Sequence, residues 1–361
     1  MPSTQGQDAA ALPEADFVQQ VLLLAYGHGW TAPQPQRARA LAQSRPLDNL
    51  ALALALGDLP AVQRALAGAD LARPLPPFGA PALAAVVFSS LARLDDCRAG
   101  HVATVRWLLA QGADANGRWA PAAHADQPLP LLYGAVARAA CFETVQALLE
   151  AGADPNDNES LYHATEQADR SILDALVQAG ARWPGTNALF RQLDHDDLPG
   201  LHQALALGAD ANELSPTIGT RPLHHALMRG RGLTFVQALV TAGADPAVHD
   251  GHGLSVAWHA QRVGRADVVA WLAAIGHAAP AHDLPSRFLA ACAAADEPSA
   301  RGARGAAPVA GATRPDGPAP AARAGATRTD CAGAADARAR LAGVGARAVG
   351  RERAQPGGLS R

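Results

Sequence analysis

The sequence predicts an all-α protein of stacked helix–turn–helix units, and three observations predict it. A short phrase returns along the chain: Gly68-Ala69-Asp70, Gly112-Ala113-Asp114, Gly152-Ala153-Asp154, Gly208-Ala209-Asp210 and Gly243-Ala244-Asp245. Degenerate copies stand at Gly180-Ala181-Arg182 and Gly276-His277. An apolar helical pattern precedes each copy. The composition then supplies what closely stacked helices need: 49 % of the 361 residues are hydrophobic but only 4 % are aromatic, so the core must be built of Ala, Leu and Val, and Ala and Leu are strong helix formers. Periodicity in the 20–50 residue range is the mark of a repeat array.

The clearest unit runs from Gly100 to Asn116. Val105, Leu108, Leu109 and Gly112 fall at i, i+3, i+4 and i+7, which is one face of a helix. Gly112 follows the last apolar pair, where a helix ends on a residue that tolerates the left-handed conformation. The Asp and Asn after it turn the chain through side-chain to backbone bonds.

This pattern resembles the ankyrin repeat. Gly219 to Ala226 (GTRPLHHA) is similar to that family's first-helix opening, with Pro222, Leu223, His224 and Ala226 in place and Arg221 where Thr is usual. Pro222 suits the first turn, where its missing N–H is not needed. The last unit places Ser255 in the Thr slot and Trp258 where the family has His, and continues through Ala260, Gly264, Val268, Val269, Leu272 and Gly276. The resemblance covers residues 48–280 and implies a solenoid of about seven repeats. The glycine spacings are 44, 40, 28, 28, 35 and 33 residues. The short ones predict missing finger loops, and the long ones predict insertions at Leu71–Pro81 and Gly117–Pro128. In this family the motif His, here His224, bonds neighbouring backbone and fixes the turn.

The flanks read differently. Leu12–Tyr26 and Gln36–Ala42 form amphipathic helices, so residues 1–47 are expected to cover the open end of the array, with Met1–Ala10 disordered. Ser286–Ala295 begins another helix inside a partial unit, 281–298. From Ser299 to Arg361 there is no Phe, Tyr, Trp, Ile, Met, Asn, His or Lys. Such a tail cannot bury enough apolar surface to offset chain entropy and is expected to be disordered. Two explanations compete for it: a basic flexible tail, or translation out of frame after a shift near Glu297. The simultaneous loss of several residue types favours the second.

Charge limits the partners. All 30 basic residues are Arg, which reads as the coding bias of a GC-rich, bacterial gene. The tail holds 11 Arg against 4 acids, so the rest of the chain carries 19 Arg against 29 acids. An acidic body argues against nucleic acid as its partner. No apolar run reaches the length that spans a bilayer. Phe17–Tyr26 lacks the basic start of a signal peptide. The four cysteines, Cys97, Cys141, Cys292 and Cys331, form no CxxC pair and fit a reducing compartment. A cytoplasmic monomer is expected, with export as an effector left open.

No chemistry stands out. His249, His252 and His259 are close in sequence, but His249 and His252 lie in a turn and no Cys accompanies them, so no metal site is expected. Cys141 and Cys292 lie on Ala-rich helices, where a thiol is a packing residue. Asp194-His195-Asp196-Asp197 occupies a turn and reads as solvated. There is no phosphate-binding loop, dinucleotide fingerprint or nucleophile elbow. No catalytic, cofactor-binding or metal-ligating residue is assigned, and no cofactor and no enzyme activity is expected.

The resemblance instead implies a protein partner, held on the concave face and the finger loops. Candidate contacts are residues the repeat pattern does not explain. Arg118, Trp119 and His124 lie in the second insertion, where Trp119 either anchors a partner or folds back onto the helices. Glu213, Ile218 and Arg221 lie in the loop ELSPTIGTR, and His249 and His252 in a further turn. Trp183 is expected to fill space in a shortened repeat. The leading reading is an interaction module for one unidentified protein. A secreted bacterial effector that grips a host protein, and the non-catalytic part of a larger enzyme, are the alternatives.

Overall fold

A computed structural model describes residues 12–27, 32–120, 127–251, 253–278 and 292. His124, His252, Met1–Ala10, the tail from Ser299 and, Cys292 apart, the partial unit beyond Ala278 lie outside the described residues. The chain divides into two compact units, Met1–Asp210 and Ala211–Arg361.

The first unit opens with α1 (Glu14–Tyr26) and α2 (Pro35–Ser44) and continues as five helix pairs. These are α3 (Leu50–Leu56) with α4 (Leu59–Leu66), α5 (Ala82–Val87) with α6 (Asp95–Ala110), and α7 (Leu131–Tyr133, continued by a π-helical stretch Gly134–Ala139) with α8 (Phe142–Glu150). Then come α9 (Ser160–Ala164) with α10 (Ser171–Gln178) and α11 (Ala188–Asp194) with α12 (Leu198–Ala206). The second unit holds two more pairs: α13 (Pro222–Met228) with α14 (Leu233–Thr241), and α15 (Val256–Arg262) with α16 (Ala266–Ala274). Among the described residues, these seven pairs agree with the roughly seven repeats expected. In each unit the first helices stack in a row, α3 on α5 on α7 on α9 on α11 and α13 on α15, and second helices such as α6 on α8 on α10 follow.

Local chemistry starts and stops these helices. Asp58 accepts from the Ala61 N–H and Ser255 from the Trp258 N–H, each satisfying a first-turn donor that has no partner within the helix. Second helices stop on glycine: Gly112, Gly152, Gly180, Gly208, Gly243 and Gly276 all have φ between 87° and 98°. The next residue reaches back to a carbonyl in the preceding turn, Ala113 to Leu108 at 3.0 Å and Ala244 to Leu239 at 2.9 Å. This closes the helix end with little strain only where no Cβ is present. One apolar pair per second helix then faces inward, as Val105 with Leu108, Val145 with Leu148, and Val236 with Leu239, all fully buried. Each such side chain contributes about 1.5–3 kcal/mol on leaving water.

The long first spacing is not an inserted finger. Ala82 follows Gly68 at the same distance as Pro222 follows Gly208, so the Leu71–Pro81 finger has ordinary length. The additional residues form a 3-10 turn, Ser90–Arg93, and lengthen α6. Their consequence is a close crossing: a Cβ on Gly100 would stand 2.5 Å from the Gly57 carbonyl oxygen. Residue counting measures the surplus but not which segment holds it. The second insertion lies where expected, within 117–128, and its ends pair as two short strands, β1 (Arg118–Trp119) antiparallel to β2 (Leu129–Pro130).

Helix α1 buries Phe17, Val21, Leu22 and Ala25 against the first pairs. The Tyr26 hydroxyl donates to the Ala85 carbonyl at 3.0 Å, and the Ser90 hydroxyl donates to the Ala25 carbonyl at 2.6 Å. Burial pushes the Tyr26 hydroxyl pKa far above its ordinary value. Among the described residues, no helix is long and apolar enough to cross a membrane.

Candidate protein-binding surface

The finger turns are tied to one another by a repeated device. The Asn116 carboxamide donates to the Gly152 carbonyl at 2.9 Å and accepts from the Asp154 N–H at 2.8 Å. Asn156 does the same with Gly180 and Arg182, at 3.1 and 2.9 Å. Asn212 does it again with Gly243 and Asp245, both at 2.8 Å. A carboxamide carries both a donor and an acceptor, so one side chain satisfies two backbone groups of the following turn. Helix pair, left-handed glycine, Asp turn and bridging Asn recur as a single unit. Both units carry this repeat, which resembles the ankyrin repeat.

Solved ankyrin repeat domains resemble the chain at low identity. That of human ASB11 is 21 % identical, with 58 % of this chain and 89 % of that one covered and a TM-score of 0.45. That of Bcl-3, described as a unique member of the IkappaB protein family, is 22 % identical, with 58 % and 91 % covered and a TM-score of 0.47. No protein-family model and no curated protein matches the sequence.

In the shortened fifth pair Pro184 stands at the position of the bridging Asn, and a tryptophan bonds the next turn. Trp183 is buried, and its indole N–H donates to the Leu207 carbonyl at 3.2 Å. The ring fills the space the missing finger leaves, as the sequence suggested.

Trp119 also turns inward. It is 5 % exposed, stands edge-on to Phe88 at 5.0 Å and to Tyr26 at 5.7 Å, and donates its N–H to the Phe78 carbonyl at 3.3 Å. The prospect of an exposed tryptophan anchor is therefore corrected: two aromatic neighbours and a backbone carbonyl offer the indole more than water does. Arg118, its neighbour, stays exposed with its Nε–H on the Pro128 carbonyl at 3.1 Å.

The second unit holds the other candidates. Arg221 reaches back from the start of α13 to the Asn212 carbonyl and locks the base of its finger. Glu213 is half-buried and His249 is exposed. Within the finger, Ser215 is fully buried. The Ser215 N–H donates to the Thr220 carbonyl at 3.0 Å, the Gly219 N–H donates to the Ser215 carbonyl at 2.9 Å, and the Ile218 N–H donates to the Ser215 hydroxyl at 3.0 Å. The loop is closed from inside, and Leu214 and Ile218 point out, 56 % and 41 % exposed. Among the described residues, only Leu214, Ile218, Met228 and Ile275 are large hydrophobic side chains left this open. Sequence reading found Ile218 and passed over Leu214, which stood out equally as an aliphatic residue in a polar finger.

A second surface went unnoticed in the sequence. Along the first helices α7, α9 and α11 of the first unit, Tyr133, Tyr162, His163, Glu166 and Arg191 form one network. Glu166 accepts from His163 Nδ1 at 2.9 Å and from Arg191 Nε at 2.7 Å. The Arg191 guanidinium lies 5.2 Å from the Tyr162 ring centroid, and His163 stands edge-on to both tyrosines. Burial would raise the Glu166 pKa, but hydrogen bonds from His163 and Arg191 outweigh it and hold the carboxyl at about 2. The available signal was Tyr162-His163 on a first-helix face that the repeat pattern does not require to be aromatic.

The polar clusters weighed as chemistry have structural partners. Asp197 caps α12 through the Gly200 N–H at 3.0 Å and pairs with Arg170 at 2.8 Å. His259 Nε2 lies 2.7 Å from Asp250, whose other oxygen accepts the Leu254 N–H at 2.9 Å. His224 Nε2 lies 3.2 Å from the Leu254 carbonyl. Burial and then the neighbouring His259 push the His224 pKa down. Among the described residues, no group of three or more His, Cys, Asp or Glu is placed to hold a metal ion.

Proposed function

We propose that this protein is an interaction module whose second unit grips a protein partner through the finger Glu213–Arg221. The observation that carries the reading is the pair Leu214 and Ile218, two aliphatic side chains held in water by a loop that hydrogen bonds to Ser215 close from inside. Binding hot spots are apolar or aromatic anchors on surfaces that need no reordering. Arg221 holds the base of the loop, and Glu213 and His249 of the same unit supply polar contacts. The buried free thiols of Cys97 and Cys141 fit work in a reducing cytoplasm.

The test is a double variant, L214D with I218D, compared with the parent in affinity capture followed by mass spectrometry. A partner retained by the parent should be lost from the variant at unchanged melting temperature. Equal recovery from both proteins would overturn the reading.

A further inference from the structure

The bridging Asn is missing from the last turn of the second unit. Asn212 bonds Gly243 and Asp245, but the residue that would bond the next turn, at Gly276 and Ala278, is Ala247. A methyl group neither donates nor accepts. In place of the side chain there is a cavity of about 430 Å³, lined by Ala247, Gly276 and Ala278, with His249, Trp258 and His277 among its walls.

We infer that this cavity recognises a primary carboxamide, the side chain of an Asn presented by a partner peptide. The same turn geometry holds an Asn carboxamide between a glycine carbonyl and the N–H two residues on at three earlier positions, with donor–acceptor distances of 2.8–3.1 Å. An incoming carboxamide would take the Gly276 carbonyl and the Ala278 N–H in the same way. Backbone groups of this kind favour a ligand that offers donor and acceptor side by side. A carboxylate brings no donor for the carbonyl, and an aliphatic group brings neither. The Trp258 and His249 rings give the peptide flat surfaces to pack on. The inference builds on the interaction reading but uses a site distinct from Leu214 and Ile218, and its test needs no knowledge of the partner.

The experiment titrates the full-length protein with three capped peptides, acetyl-Ala-Xaa-Ala N-methylamide with Asn, Asp or Ala at the centre, following the Gly276 and Ala278 amide resonances. The Asn peptide should bind at least about tenfold more tightly than the other two, because it alone matches both the carbonyl and the N–H. Ala247→Asn should abolish that binding and raise the melting temperature by completing the series. Ala247→Leu should abolish binding by covering the approach to the Gly276 carbonyl and the Ala278 N–H without adding a bond. Equal response to the three peptides, no response to any, or Asn-peptide binding that survives in A247N would each overturn the inference. Loss of the partner in the L214D/I218D protein with Asn-peptide binding intact separates this site from the finger.

Discussion

The Ser215 hydroxyl accepts the Ile218 backbone N–H at 3.0 Å, and this bond, made by a fully buried serine, keeps the isoleucine side chain in solvent. Removing the hydroxyl leaves the aliphatic surface unchanged but frees the loop that presents it. Ser215→Ala is therefore expected to weaken partner binding by about fivefold, roughly 1 kcal/mol, through ordering cost alone. Calorimetry with the captured partner reads it as a less favourable entropy at similar enthalpy.

Trp119 belongs to the core, so its loss acts on folding. Trp119→Ala removes the contacts with Phe88 and Tyr26 and leaves the Phe78 carbonyl without its donor. The expected cost is about 3–5 kcal/mol, read as a shifted denaturant midpoint for the first unit. Arg118→Ala, at an exposed site one residue away, should change stability by less than about 0.5 kcal/mol.

The Asn bridges make a matched series. Asn116→Ala, Asn156→Ala and Asn212→Ala each delete two hydrogen bonds to the next turn and should each cost about 1–3 kcal/mol. Hydrogen exchange checks the placement: faster exchange is expected at the amides that lose their acceptor, Asp154, Arg182 and Asp245 respectively.

Glu166 sets an acid limit on the first unit. Its carboxyl is held at about 2 in the folded protein, against an ordinary value of 4.5. The lowered value means that the folded state binds its proton later than the unfolded chain does. The stabilisation is fully present above pH 4.5 and is lost as the pH falls toward 2. The side chain is 23 % exposed, which reduces the gain to about 2 kcal/mol. Glu166→Gln should lower stability at pH 7 and flatten its decline between pH 4.5 and 2, measured by urea unfolding across that range.

His224 adds a milder dependence in the second unit. Its pKa is lowered by burial and by His259 from an ordinary value of 6.5, so the neutral ring is the folded form. Stability from this group is complete above pH 6.5 and falls as the pH drops through the folded value. Proton NMR of the imidazole should show a titration midpoint below 6.5, and a midpoint at or above it would contradict this arrangement.

Much of this was legible in one dimension. The five Gly-Ala-Asp phrases and their two degenerate copies marked seven helix ends because a left-handed residue is needed there and glycine meets that need from its own covalent structure. The apolar face of each second helix was legible because 3.6 residues per turn is a local rule. Asn116, Asn156 and Asn212 were visible as letters, but their partners lie 24–38 residues away, and no local pattern reports a bond made across that distance.

The amino-acid order by itself therefore determined the helix pairs, their number and the punctuation between them, because those depend on backbone conformation and short-range periodicity. Only the tertiary structure decided which unusual residues face water. Trp119 and Ile218 both stood in polar loops, yet Phe88 and Tyr26 draw the tryptophan inward while Ser215 holds the isoleucine out. The reason is that burial depends on which distant groups close around a side chain, and stacking the repeats creates those neighbours.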